Sequence, residues 1–109
     1  KLWVSAGNGN GTFNTATSTT VASGAKAVAL ADLDGDGDLD AVVTDQGDGG
    51  TVGYAVVYPN TGGGTWGSTT SYAVGGLPYD VKVADMNADT IPDLIVAGAR
   101  TGTISVVLR

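Results

Sequence analysis

Cysteine, histidine and glutamate do not occur anywhere in the 109 residues. Without Cys, no disulfide can staple the chain and no thiolate can hold zinc. Without His, the commonest general base and the commonest metal-binding nitrogen are both missing. Cations are few: Lys1, Lys26, Lys82, Arg100 and Arg109 are scattered along the chain. Nucleic acid and anionic membranes are therefore poor partners, since phosphate binding needs clustered positive charge. No apolar run approaches the roughly 20 residues of a membrane helix. The chain starts at Lys1 with neither Met nor a charged-then-apolar leader, a start expected of a processed protein, an excised piece or a designed chain. It carries no information on compartment. Catalysis is not expected. Glycoside hydrolysis needs two carboxyls at a set separation, yet nearly all carboxyls here lie in two short loops. The many Ser and Thr hydroxyls have no His to activate them.

What is present points to β structure. Eighteen glycines, with abundant Thr, Ser and Val, disfavour helix and favour short strands and tight turns. An apolar content of 42% argues against disorder. A length of 109 residues normally means one small domain.

Sliding the sequence by 53 positions aligns it with itself, carrying Asp32 onto Asp85, Asp34 onto Asn87, Asp36 onto Asp89 and Asp40 onto Asp93. The same shift places Gly11-Thr12-Phe13 on Gly64-Thr65-Trp66. Two repeats, 1–53 and 54–106, are expected, with a short overlap at the C-terminus. Each reads as four strands. In the second copy these are Tyr54–Tyr58, Ser68–Val74, Tyr79–Ala84 and Asp93–Ala97, and Thr103–Leu108 begins the cycle again. The continuous apolar runs Ala41-Val42-Val43 and Leu94-Ile95-Val96 predict strands buried on both faces. A four-stranded unit of about 40–50 residues has the size of a propeller blade. A small β-sandwich built by duplication is the alternative. The shift also puts Lys1–Val4 and Val106–Arg109 on one strand of the unit, as though the chain were cut within it.

Eight of the eleven acidic residues fall in two nine-residue segments. The first runs Asp32-Leu33-Asp34-Gly35-Asp36-Gly37-Asp38-Leu39-Asp40. Two unit charges about 4 Å apart repel by about 4 kcal/mol at an effective dielectric near 20, so five carboxylates in a tight turn call for a cation. Calcium takes 6–8 oxygen ligands in flexible geometry, whereas softer metals want the S and N ligands missing here. Asp32, Asp34 and Asp36, at positions 1, 3 and 5, can converge on an ion. Gly37 at position 6 supplies a turn with positive φ. The position-7 carbonyl of Asp38 adds a ligand while its side chain points outward, and Asp40 at position 9 closes the site. An EF-hand is excluded, because Val43 stands at position 12 and no helices flank the loop. The second segment, Asp85–Asp93, keeps oxygen ligands at Asp85, Asn87, Asp89 and Asp93, with the carbonyl of Ile91 at position 7. Thr90 at position 6 would be strained at positive φ, and Asn87 carries no charge, so weaker binding is expected there. A metal-free turn held by Asp and Asn side chains is the alternative for both loops.

Asp-Leu-Asp-Gly-Asp-Gly-Asp-Leu-Asp-Ala-Val-Val at 32–43 resembles the calcium loop and following strand of FG-GAP/VCBS-type repeats, the blades of integrin-α-like β-propellers. Pro78–Asn87 resembles the strand leading into that loop. Asn8–Phe13 and Gly62–Trp66 resemble the family's Gly-rich turn ending in an aromatic. The resemblance implies an all-β fold of two four-stranded propeller blades and about two calcium ions per chain. It also implies an extracellular or cell-surface setting. Two blades leave open edges, so a propeller is expected to be completed head-to-tail by further copies, as a trimer or a tetramer. The other possibility is that the chain is a fragment of a longer propeller. Two functions are carried forward: a calcium-binding structural and assembly module, and a calcium-stabilised lectin. In the lectin, Trp3, Trp66, Tyr54, Tyr58, Tyr72 and Tyr79 would stack on glycans, unless they simply pack between blades.

Overall fold

The computed structural model describes residues 1–47, 49, 51–100 and 102–109. Among these residues there is no helix, and nine strands form three antiparallel sheets. The first sheet pairs β1 (Leu2–Val4) with β2 (Thr17–Thr19). The second has four strands in sequence order: β3 (Ala25–Ala31), β4 (Asp40–Asp45), β5 (Val52–Tyr58) and β6 (Thr70–Gly75). The third has three: β7 (Pro78–Ala84), β8 (Asp93–Gly98) and β9 (Thr103–Val107). The four-stranded unit expected of each repeat is thus present once within the described residues.

The shift read from the sequence reappears as hydrogen-bond register. Val28–Val43 and Ala31–Asp40 pair across β3 and β4, as Val81–Val96 and Ala84–Asp93 do across β7 and β8. Leu2–Thr19 and Val4–Thr17 correspond to Ala55–Tyr72 and Val57–Thr70. Even the turns agree: Gly7 bridges Phe13 as Asn60 bridges Trp66, and Asn8 N donates to Thr12 O at 2.9 Å as Thr61 N does to Thr65 O at 2.8 Å. A one-residue bulge sits at the same place in both copies, between Ala25 and Val28 and between Pro78 and Asp80. In the first copy the hydroxyl of buried Thr44 accepts the Ala27 N–H at 2.9 Å, which satisfies a donor that the bulge takes out of the ladder. At Gly53 a Cβ would collide with the Pro78 ring, so that position lets β5 and β7 approach closely.

One connection breaks the repeat. Asp45 pairs with Tyr54 across the β4–β5 hairpin, whereas Gly98 pairs with Thr103 across β8–β9, so the second hairpin is four residues shorter. The strand equivalent to Leu2–Val4 is therefore Ile104–Val106, not the Val106–Arg109 that a constant shift expects. β1, β5 and β9 are thus equivalent strands, three, seven and five residues long.

Both faces of the four-stranded sheet are packed. One carries Val42, Ala55, Val57 and Val74, which meet Val81, Leu94 and Val96 of the third sheet, with Leu33 closing the cluster. The other carries Ala41, Val43, Val56 and Tyr58, against which Leu2 and Val21 pack. Ala41, Val42 and Val43 are buried, as the apolar run predicts. Leu94 and Val96 are buried too, but Ile95 between them is only half-buried, because among the described residues no sheet covers the outer face of β7–β9.

Tyr58 lies edge-on to Trp66, with ring centroids 6.4 Å apart and planes at 82°. Burial pushes its pKa above the ordinary 10.0, a hydrogen bond with the Ala22 backbone pulls it back, and the Asp45 charge raises it further. The folded protein therefore holds this proton longer than the unfolded chain does. Its contribution is complete below pH 10 and is lost as pH rises toward the folded value. Denaturation midpoints measured between about pH 8 and 12 should decline above 10, and Tyr58→Phe should flatten that decline.

Candidate metal centre

Each Asp loop bridges the first two strands of its sheet, Asp32–Asp40 running from β3 into β4 and Asp85–Asp93 from β7 into β8. The two loops lie side by side across a crevice of about 330 Å³ lined by Asp32, Leu33, Asp34, Thr90, Ile91 and Pro92.

Within the first loop the side chains bond back to the main chain. Asp32 accepts from Gly35 N at 2.7 Å and from Gly37 N at 3.0 Å. Asp34 accepts from Asp36 N at 3.2 Å, and Asp36 from Asp38 N at 2.8 Å. The second loop repeats the pattern: Asp85 accepts from Thr90 N at 2.8 Å, Asn87 from Asp89 N at 3.1 Å and Asp89 from Ile91 N at 2.8 Å. The bonds at Asp34, Asp36, Asn87 and Asp89 are Asx turns, in which short side chains stand in for backbone acceptors, and those at Asp32 and Asp85 reach further along the loop. They curl each loop, and in the first they bring Asp32 and Asp34 toward Asp40.

The backbone needs positive φ twice per loop. The first loop meets this with Gly35 at 81° and Gly37 at 95°, the second with Ala88 at 62° and Thr90 at 72°. The strain expected at Thr90 is present, and Ala88 adds a second strained site. A β-branched residue in this region costs on the order of 1 kcal/mol or more. Thr90→Gly should therefore raise stability by about 1 kcal/mol, read from denaturant unfolding in chelator. Gly37→Thr should lower it by at least as much.

Carboxylate oxygens of Asp32, Asp34 and Asp40 lie within 4.8 Å of one another, a spacing a single cation can bridge. Asp36 and Asp38 are exposed and lie outside that group. In the second loop Asp85, Asp89 and Asp93 do not form such a group within the described residues. There Asn87 Nδ2 donates to Asp89 at 2.8 Å, holding that carboxylate to the amide. Ile91, at the carbonyl position, is exposed.

Asp40 and Asp93 have a further role that spacing did not indicate. Asp40 is 1% exposed. One of its oxygens accepts Leu33 N at 2.8 Å and the other accepts Asn60 N, also at 2.8 Å. Asp93 is 0% exposed and accepts Met86 N at 2.8 Å and Arg109 N at 3.0 Å. Each buried carboxylate thus clamps the start of its own loop to the end of the third strand. Asn60 and Arg109 are equivalent through this clamp, but the shorter hairpin removes them from a constant spacing. Asn60 Nδ2 also donates to Leu39 O at 3.2 Å. Arg109 Nη1 donates to Leu33 O at 2.8 Å, linking β9 to the first loop.

The six aromatics considered for glycan stacking divide evenly. Tyr58 is buried, and Trp66 and Tyr72 pack against the two cores. Trp3, Tyr54 and Tyr79 are exposed, on three different strands. Trp3 and Trp66 line a groove of about 380 Å³ with Leu2, Val28, Leu30 and Asn60.

Residues 1–43 match the family model of an FG-GAP-like repeat. The match spans β1 to β3, the whole first Asp loop and the beginning of β4. No curated protein and no solved structure matches the chain significantly.

Proposed function

Starting from the FG-GAP-like repeat in residues 1–43, we propose that the chain is a calcium-binding propeller-repeat module that assembles with copies of itself. Calcium sits in the first loop on Asp32, Asp34 and Asp40, whose oxygens already converge. Asp36 and the Asp38 carbonyl lie within the same turn. The second loop, with Asp85, Asn87, Asp89, the Ile91 carbonyl and Asp93, is a weaker site, because it has one carboxylate fewer at position 3 and a strained backbone. When bound, the ion supplies charge neutralisation and a cross-link between the two strands of the hairpin. Loops of this exposed kind suit an extracellular setting, where modules bind calcium at about 10⁻⁴–10⁻³ M.

The observation that supports the assembly is an interface between sheets whose side chains recur, partly uncovered, elsewhere in the repeat. Inside the chain, Leu33, Val42, Ala55 and Val57 pack against Val81, Leu94 and Val96, with Val83 alongside. The repeat maps the first group onto Met86, Ile95, Ile104 and Val106. Met86 is 55% exposed where Leu33 is 5%, and Ile104 is 72% exposed. It maps the second group onto Val28, Leu30, Ala41 and Val43, of which Val28 and Leu30 are exposed. Ala41 and Val43 are already covered by Leu2 and Val21, so Met86, Ile95, Ile104 and Val106 of one copy would meet chiefly Val28 and Leu30 of the next. Such a heterologous contact closes into a ring if its rotation permits. Burying these side chains is worth about 25 cal/mol per Å² of apolar surface.

Light scattering in calcium tests this. The expected mass is three or four times 10.8 kDa, and a monomeric mass at high concentration contradicts the assembly. The Trp3–Trp66 groove favours a lectin as second reading, which a glycan array without hits would remove.

A further inference from the structure

We propose that Asn10 is an acceptor for an N-linked glycan, carried at the tip of the β1–β2 hairpin. This rests on the extracellular setting proposed above, because N-linked glycans belong to surface loops of secreted chains.

Asn10-Gly11-Thr12 has the acceptor spacing Asn-X-Thr, with X other than proline. Asn8, Asn14, Asn60 and Asn87 have neither Ser nor Thr two residues further on. The spacing lets the Thr side chain reach back to the Asn side chain, and here it does. Asn10 Oδ1 accepts Thr12 N at 3.0 Å and Thr12 Oγ1 at 2.6 Å. A backbone N–H can only donate, so the amide atom facing Thr12 is the oxygen, and Nδ2 points away from it. Among the described residues no hydrogen bond engages that Nδ2. The tip itself is open. Asn8, Gly9, Asn10, Gly11 and Thr12 are all exposed. Gly9 and Gly11 turn the chain at φ 76° and 88°, and a Cβ on either would meet nothing within 4 Å.

The transfer joins Asn10 Nδ2 to the anomeric carbon of an oligosaccharide carried on a polyprenyl pyrophosphate. The C–O bond to the pyrophosphate breaks, and the pyrophosphate leaves with the electron pair. Nδ2 gives up one proton to a base of the transferase. Thr12 holds Oδ1 with both of its donors, so the amide presents its reacting nitrogen outermost.

The turn alone does not require Asn10. The repeat places Gly63 there, and the second copy closes the same tip with Thr61 N on Thr65 O, as the first does with Asn8 N on Thr12 O. Gly63 also shows that the position stays open beside another repeat. The first Asp loop lies against Gly62, where a Cβ would come 3.6 Å from the Asp38 carboxylate. Gly63 is nevertheless exposed, and a Cβ there would meet nothing within 4 Å. A glycan on Asn10 is thus compatible with a neighbouring repeat.

The full chain, directed through a eukaryotic secretory host by a cleavable leader, tests the site. The mass of the peptide containing Asn10 is read in both the secreted and the retained protein. The expected result is a glycan on Asn10, removed by an amidase that leaves Asp in its place. Asn10→Gly copies the tip of the second repeat and should fold, and it should lose the glycan completely. Thr12→Val should lose it too, while Thr12→Ser should keep it. Secreted chain with an unmodified Asn10 overturns the site and leaves the extracellular setting standing. So does a glycan that persists in Asn10→Gly. Glycosylated chain that never leaves the cell supports the site and overturns the setting. Retained chain with an unmodified Asn10 overturns both.

Discussion

Asp40→Ala should destabilise the protein by about 3 kcal/mol or more in chelator, and by more still in calcium, where a ligand is lost as well. Asp40 is buried and accepts the backbone N–H groups of Leu33 and Asn60, each at 2.8 Å. Hydrogen bonds to a charged acceptor contribute about 1.5–3 kcal/mol each, and removing the acceptor leaves two donors without partners. The loss also frees the start of the loop from the end of β5, so the hairpin and its neighbour come apart together. Asp40→Asn retains one oxygen acceptor and should cost roughly half as much. Asp93→Ala should behave like Asp40→Ala, because Met86 N and Arg109 N depend on it in the same way. Chemical denaturation with and without chelator checks these expectations. A loss seen only in calcium would make Asp40 a ligand and nothing more.

Removing calcium should lower the melting temperature by on the order of 10 °C. A site filled at one hundred times its Kd stabilises the native state by about 2.7 kcal/mol, and each kcal/mol moves the midpoint by about 4–8 °C in a domain of this size. The responses of the loop carboxylates should differ in sign. Asp34 is exposed, and its one hydrogen bond within the loop, from Asp36 N, is long at 3.2 Å. Asp34→Asn takes a negative charge from a group of carboxylates within 4.8 Å of one another. In chelator it should therefore leave the protein as stable as before, or slightly more stable. In calcium it should weaken affinity by about tenfold, since ligand charge tunes these sites. Asn87→Asp should move the second loop in the opposite direction. Thermal scans at stepped calcium concentrations separate these effects from the clamp at Asp40.

Much of this architecture is legible in the sequence. The shift that aligns Asp32 with Asp85 is the shift that relates the ladders, the bulges and the Gly-rich turns. It is legible because each repeat must form the same hairpins from the same turn residues. The apolar run Ala41-Val42-Val43 identified the central buried strand, and Gly37 against Thr90 identified where the backbone turns left-handed. The short β8–β9 hairpin was not legible, since a deletion in a polar turn leaves no mark on strand periodicity. Through it the overlap at the C-terminus was displaced, and the kinship of Asn60 and Arg109 was hidden. Half-exposure of Ile95 was also illegible: its neighbours Leu94 and Val96 have the same apolar character, and only the absence, among the described residues, of a sheet over β7–β9 distinguishes it. The clamping role of Asp40 and Asp93 escaped because spacing reveals which side chains share a loop, not which backbone donors they satisfy. Leu33 and Met86 show the same limit, being equivalent in sequence and opposite in burial.

The most direct measurement is calorimetric titration of calcium into the wild-type chain and into Asp34→Asn. Saturable binding is expected in the wild type, with one site stronger than the other and the stronger one weakened by the substitution. Equal isotherms for the two proteins would contradict a calcium site built on Asp32, Asp34 and Asp40, and so would a wild type that takes up no calcium at millimolar concentration.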